Sequence, residues 1–185
     1  MTTLGAWIID TDVDARTTLG RMARLCEKAM LDPAVIHAAN VIIAGVQSRD
    51  VPAQIAAICS FMESYFYFVP NPQGTQTIRP PGWTGRPAAP GMLEDIATRG
   101  LAQGACDDAA VLIATLGMAN GIPARFRAIA FCVQLEGRCD PTVAYTHVIA
   151  DLFDGVEWQD CDVTRPLDVD RPTDAEIART MTYDV

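Results

Sequence analysis

Residues 104–123 read GACDDAAVLIATLGMANGIP, and this segment is the most informative part of the sequence about the architecture. The run from 109 to 119 is apolar on every side, which predicts a helix that is buried on most of its surface. Asn120-Gly121, followed by an apolar residue and Pro123, is a typical helix end. The sequence therefore predicts a central helix that begins near position 106.

Cys106 stands where this helix begins. Free backbone N–H groups and the positive end of the helix dipole are expected to stabilise a thiolate at this position, and to hold an oxyanion on a bound carbonyl. Asp107 and Asp108 suit a helix N-terminus, but their negative charges oppose the formation of a thiolate. The alternative is a small buried cysteine in a core helix that two acidic residues cap.

After the helix the apolar pattern changes to alternation, which predicts strands. The predicted strands cover 125–133, 143–153 and 156–163. Asp154-Gly155 favours a two-residue hairpin in which Phe153 pairs with Val156.

Counting back along this hairpin places His147 opposite Asp162, with Cβ atoms ~5 Å apart. A carboxylate beside an imidazole fixes its tautomer and stabilises its cationic form. A bulge would shift the register, and Asp160 is then the alternative partner. The other histidine, His37, is expected to be an ordinary helix residue.

The segments before the central helix are predicted to be mostly helical. Asp32-Pro33 and Asp50-Val51-Pro52 are typical helix starts. The predicted helices cover 14–30, 33–42, 51–66 and 92–98. Residues 70–91 contain six prolines and four glycines, so no regular element is expected there. Near the C-terminus, Thr173 and Glu176 are spaced as a capping box for a last short helix.

Composition excludes several classes of protein. The chain has 185 residues, half of them hydrophobic, and a net charge of −9, which argues against nucleic-acid binding. Lys28 is the only lysine, so the chain has no Gly-Lys phosphate loop. Its apolar runs are shorter than the ~20 residues that cross a bilayer, so no membrane insertion is expected. The N-terminus lacks a basic, apolar leader, so no signal peptide is expected either.

The six cysteines are scattered through apolar segments. Without a secretion signal, most are expected to be reduced and buried. Cys132 and Cys139 flank a short polar segment and could form a disulfide. With Cys161 and His147 they could instead bind zinc, although zinc ligands are usually spaced more tightly.

A thiol at a helix N-terminus and a His–Asp pair on adjacent strands form a nucleophilic arrangement. Gly104-x-Cys106-x-x-Ala109, Tyr145-Thr146-His147-Val148 and Trp158-x-x-x-Asp162-Val163-Thr164, in that order, resemble the transglutaminase-like superfamily. With Phe66-Tyr-Phe-Val-Pro-Asn-Pro72 and the Cys-Asp-Asp sequence, the chain is similar to members encoded by tailed phages and prophages. The resemblance covers residues 54–166. It departs at Ala105, where the phage-type members usually carry an aspartate.

The resemblance implies an α+β, papain-like fold, with a helical N-terminal half and the nucleophile helix packed on an antiparallel sheet. It implies a helical extension over 1–53, a core over 54–166 and a tail over 167–185. The expected catalytic residues are Cys106 as the nucleophile, His147 as the base and Asp162 as its orienting partner. The candidates for an additional oxyanion donor are Gln103, Trp83 and Tyr67. No metal or organic cofactor is expected.

The function implied by the resemblance is hydrolysis of a peptide or isopeptide bond in a peptide or protein substrate. Acyl transfer to an amine is the nearby alternative, which depends on whether water or an amine reaches the acyl-enzyme. A rival hypothesis is a structural virion component of a neck, tail or baseplate, with other virion proteins as partners. The expected location is the virion for a phage protein and otherwise the cytoplasm.

Overall fold

Five helices and eight strands make up the part of the chain that the computed structural model describes, which is residues 12–70, 78–86, 90–132, 134–135, 138–140, 142–164 and 177–185. The helices are α1 (Asp12–Ala29), α2 (Pro33–Ile42), α3 (Val51–Tyr65), α4 (Met92–Arg99) and α5 (Cys106–Ala119). The strands are β1 (Phe66–Phe68), β2 (Ala102–Gly104), β3 (Ala124–Phe131), β4 (Gln134–Leu135), β5 (Arg138–Cys139), β6 (His147–Phe153), β7 (Trp158–Cys161) and β8 (Ile177–Asp184).

The main sheet is antiparallel, with strand order β7-β6-β3-β8. Two small sheets accompany it: β1 pairs with β2 in parallel, and β4 pairs with β5. The architecture is thus mixed α+β with an antiparallel sheet, as the sequence predicted.

Helix α5 is the centre of the core, as its all-round apolar pattern predicted. Every residue from Cys106 to Gly117 is buried. The helix packs on β3 and β6 and also contacts α1, α2 and α3. A Cβ at Gly117 would lie 2.6 Å from a methyl group of Leu152, so glycine allows the close approach of α5 to β6. Burying each large side chain, such as Phe126 or Leu112, contributes about 1.5–3 kcal/mol.

The predicted helix starts are confirmed, because local capping chemistry determines them. Asp32 accepts a hydrogen bond from the Ala34 N–H at 2.8 Å, and Asp50 accepts one from the Ala53 N–H at 3.1 Å. Both caps precede a proline in the first turn of the helix.

The predicted register of the β6–β7 hairpin is wrong by two residues. Phe153 pairs with Trp158, not with Val156. The reason is the Asp154 side chain, which accepts hydrogen bonds from the N–H groups of Val156 and Glu157 at 2.7 and 2.8 Å and thereby forms a four-residue loop. A shift of two residues preserves the face to which each side chain points.

The C-terminal prediction is also wrong. The capping box at 173–176 lies outside the described residues, but the segment that follows it is strand β8 and not a helix. β8 pairs with β3 along its length. Met181 and Tyr183 on β8 pack against the core, and Tyr183 lies over Gly20 of α1.

Helix α1 and strand β8 share the core with the central elements. Leu19 and Met22 of α1 are fully buried in it. Asp12 at the start of α1 accepts hydrogen bonds from Tyr145 at 3.0 Å and from Arg179 at 2.8 Å.

The domain boundaries at residues 54 and 166 stay predictions. No helix within the described ranges is both long and apolar enough to cross a membrane.

Disulfide bonding departs from the prediction of mostly reduced cysteines. Cys59 on α3 is bonded to Cys161 on β7, across 102 residues of sequence. Cys132 is also disulfide-bonded, whereas Cys26 and Cys106 are free and buried. The predicted zinc alternative is wrong for Cys132 and Cys161, because a sulfur in a disulfide cannot act as a thiolate ligand.

Candidate active site

His147 and Asp162 contact each other directly. The His147 Nε2 atom lies 2.7 Å from Asp162 Oδ2, and the two side chains are 13% and 3% exposed. β7 ends at Cys161, opposite Ala150, so Asp162 lies just beyond the strand. The two side chains share a face in either register, so the predicted pair forms although the predicted pairing of the strands was wrong.

Asp162 is held as a carboxylate. Burial raises its pKa, but the hydrogen bond and the charge of His147, together with two hydrogen bonds from Thr164, outweigh burial. The Thr164 N–H and hydroxyl donate to Asp162 Oδ1 at 3.0 and 2.8 Å. The net result is an Asp162 pKa well below its usual range. Thr164 was missed as a site residue, although Asp-x-Thr is a typical signal for such a turn.

The ionised state of Asp162 decides the tautomer of His147. A carboxylate only accepts hydrogen bonds, so His147 Nε2 carries a proton and donates a hydrogen bond to Asp162. In a neutral ring the other nitrogen, Nδ1, then has a free lone pair. The Phe131 ring stacks on the imidazole at 6.0 Å between centroids and restricts its orientation.

Cys106 lies against the residue that follows His147. The Val148 backbone is close enough to lower the pKa of the thiol, and Asp162 is close enough for its charge to raise it. Among the described residues, no hydrogen bond joins the thiol to the His147 ring. Catalytic hydrogen bonds are often long in the absence of substrate.

The Cys106 thiol is protonated at rest. Burial raises its pKa most, and the charges of Asp107 and Asp162 raise it further, against weaker lowering by the Val148 and Asp107 backbones. The sequence predicted that the helix N-terminus would stabilise a thiolate. This prediction is wrong, because the sum of all contributions raises the pKa of Cys106. Cys106 is 2% exposed, so almost none of its surface is open to solvent.

Asp107 carries an unusual carboxyl group. It is fully buried, and Oδ1 accepts the Asp108 N–H at 3.0 Å. Oδ2 has no hydrogen-bond partner among the described residues. Burial, followed by the charge of Asp108, raises the Asp107 pKa to about 7. This carboxyl group therefore changes its charge near neutral pH, beside the candidate nucleophile.

Asp108 positions the start of α5. Its Oδ2 accepts the Ala105 N–H at 3.0 Å, and its Oδ1 accepts the Arg79 N–H at 2.7 Å. Arg79 in turn donates to the Gln103 carbonyl and forms an ion pair with Asp95. A Cβ at position 104 would lie 2.5 Å from Asp108 Oδ2, so this position requires glycine. Sequence reasoning assigned Asp108 only to capping and missed the contact with Arg79.

The three oxyanion candidates occupy different places. Gln103 on β2 pairs with Tyr67 on β1, and both side chains are exposed. Trp83 is 47% exposed and lines a separate groove against Leu25 and Lys28 of α1. The structure places Gln103 three residues before Cys106 on the adjoining strand. It places Trp83 in a groove that does not include the candidate triad.

The alternative partner, Asp160, is engaged elsewhere. It pairs with Asp151 across the strands and forms an ion pair with Arg127 at 3.4 Å. Asp151 is buried and bonded to Arg125 at 2.9 Å and to Arg127 at 2.8 Å. Both carboxylates are thus engaged by arginines, whereas Asp162 contacts His147.

Sequence comparisons with known proteins do not assign this chain to a family. No family model matches the chain, and no curated protein matches its sequence. A solved structure from Cytophaga hutchinsonii, provisionally described as a cysteine protease, is similar over 97% of this chain and 50% of its own, with 18% identity and a TM-score of 0.46. This chain therefore spans half of that protein.

Proposed function

We propose that the protein is a cysteine-dependent amide hydrolase with Cys106 as its nucleophile, His147 as its base and Asp162 as the partner that orients His147. The observation that carries this proposal is the His147–Asp162 contact of 2.7 Å, which leaves Nδ1 with a free lone pair next to the segment that contacts the thiol. The ordered Cys, His and Asp motifs that resemble the transglutaminase-like superfamily support it.

The proposed reaction has two halves. His147 Nδ1 takes the thiol proton as the Cys106 sulfur attacks the amide carbonyl carbon, and the backbone N–H at the start of α5 stabilises the oxyanion. The imidazolium returns its proton to the amine, which leaves as the C–N bond breaks. Water, activated by His147, then attacks the thioester, and the acid product and the free thiol are released.

The raised pKa of Cys106 determines when the thiolate forms. A resting thiol in a dry site gains little from the helix dipole, since burial dominates. Transfer of the proton to His147 creates a cation beside Asp162, which the Asp162 carboxylate stabilises. The nucleophile is therefore activated when it attacks and is not stored as a thiolate.

The first test is to map the site of acylation. An activated ester, p-nitrophenyl acetate, is incubated with the protein, and the acetylated residue is identified by mass spectrometry. We expect one acetyl group on Cys106, and none on the Cys106→Ala variant. Cys26 is an internal control, because it is also free and buried, with a pKa raised to about 12 chiefly by burial. Equal acetylation of both cysteines would contradict the proposal.

Peptide and isopeptide bonds are the proposed substrates, and acyl transfer to an amine is the alternative outcome. Adding a primary amine during turnover separates the two, because transfer yields an amide and hydrolysis yields an acid. A role as a virion component remains a prediction from the resemblance alone.

A further inference from the structure

The Cys59–Cys161 disulfide ends one residue from Asp162. Cys161 is the last residue of β7 and is buried, and Cys59 lies on α3. Their Cα atoms are 5.9 Å apart. The covalent bond therefore attaches α3 to the residue that immediately precedes the partner of His147.

The packing around this bond is incomplete. A groove of about 320 Å³ separates α3 from the chain between Gln159 and Val163, and both bonded cysteines line it. Pro52 and Ile55 form part of its α3 side. Because side chains do not fill this space, the disulfide is a main connection between α3 and the end of β7.

Asp162 lies just beyond the end of the β6–β7 ladder. The ladder between β6 and β7 ends with the Ala150–Cys161 pair. Beyond it, the Asp162 carboxylate contacts His147 and Thr164. On the strand side, Asp162 follows directly on Cys161, whose position the disulfide to Cys59 restricts.

We propose that the Cys59–Cys161 disulfide is a positioning element of the site, which holds Asp162 against His147, and that its reduction lowers catalysis. This inference rests on the proposed function. Reduction by a dithiol breaks the Sγ–Sγ bond, adds one hydrogen to each sulfur and converts the dithiol into a disulfide. The freed end of β7 then moves relative to α3, and His147 loses its fixed acceptor.

The direct test observes the His147 ring by NMR and needs no substrate. The chain has only two histidines, and exposed His37 is the internal control. In the oxidised protein we expect a slowly exchanging Nε2–H proton from His147. In the Cys59→Ser/Cys161→Ser double variant this proton should exchange rapidly, with the His37 signals unchanged. Persistence of the slow proton in a folded double variant would overturn the proposal.

A stability control separates positioning from general weakening. Val35→Ala removes buried volume from α2, away from the candidate triad, and should keep the slow His147 proton. If Val35→Ala is destabilised as much as the double variant and its His147 proton also exchanges rapidly, the disulfide has no specific role in positioning Asp162.

A second readout is the acylation of Cys106. We expect its rate constant to fall about tenfold or more in the double variant, a typical size for losing precise orientation, with the half-saturating ester concentration unchanged. An unchanged rate constant would overturn this inference and leave the proposed function standing. No acylation of Cys106 in the oxidised wild type would instead count against the proposed function, and the NMR result would still decide the role of the disulfide.

Discussion

Among the contacts of single residues, the one between Asp162 and His147 should affect the rate of Cys106 acylation most. Asp162→Asn preserves the shape of the side chain but removes the charge that stabilises an imidazolium. An amide can also donate to Nε2, which favours the wrong tautomer. We expect the rate constant for Cys106 acylation to fall by about 10²–10⁴.

The matched control for this variant is Asp160→Asn. Asp160 lies on the same strand face but is bonded to Arg127. Its substitution should leave the acylation rate within about threefold, since its ion pair with Arg127 involves neither His147 nor Cys106. A larger loss with Asp160→Asn than with Asp162→Asn would reverse the assignment of the two carboxylates.

Asp107 gives a prediction for pH dependence. Its folded-state pKa of about 7 lies above its ordinary value of 3.8, so the folded protein holds this proton more tightly than the unfolded chain. The stability from this group is therefore full below about pH 4 and is lost as pH rises to about 7. Asp107→Asn removes this dependence and should raise the free energy of unfolding by about 4 kcal/mol above about pH 8.

Urea unfolding at several pH values measures this effect. Exposed Asp184→Asn is the control, because it makes the same change in charge without burial. The same Asp107→Asn variant should lower the pKa of the Cys106 thiol, since the Asp107 charge raises it. Equal stability profiles for wild type and Asp107→Asn would show that the buried carboxyl is not destabilising.

At the scale of elements, the start of α5 depends on Asp108. Asp108→Ala removes the cap from Ala105 and the acceptor from Arg79, which should cost about 1–3 kcal/mol of stability. Asp50→Ala removes a comparable cap from α3, 3.1 Å from the Ala53 N–H. Thermal denaturation compares their stabilities. We expect both variants to lose stability but only Asp108→Ala to slow the acylation of Cys106. Equal slowing in both would assign the effect to stability alone.

Sequence determines the elements better than their pairing. The Asp-Pro caps and the apolar run of α5 are local signals, so the helices were predicted nearly to their ends. The hairpin was not, because the Asp154 side chain forms two hydrogen bonds that lengthen the loop. The pairing of His147 with Asp162 was still predicted, since a shift of two residues keeps both side chains on one face.

At the scale of the whole molecule, the Cys59–Cys161 disulfide closes a long loop. Such a loop restricts the unfolded chain, so its loss should cost about 2–5 kcal/mol of unfolding free energy. Urea unfolding of wild type and of Cys59→Ser/Cys161→Ser, both without reductant, measures this difference. Equal stability of the two proteins would show that strain or residual structure cancels the effect.

Contacts between distant segments of the chain could not be predicted from the sequence. No local pattern indicates that Cys59 meets Cys161, or that β8 pairs with β3, because both depend on contacts between distant segments. The protonated state of Cys106 could not be predicted from the sequence either, since its position at a helix N-terminus favours a thiolate. Its burial and the charges of Asp107 and Asp162 become visible only in the folded chain.

The single-turnover rate of Cys106 acetylation, compared between wild type and His147→Ala, shows whether His147 activates Cys106. We predict that this substitution slows acetylation by about 10²–10⁴, while His37→Ala, which alters the other histidine, leaves the rate unchanged. Acetylation of Cys106 at the wild-type rate in His147→Ala would contradict the proposal that His147 activates Cys106.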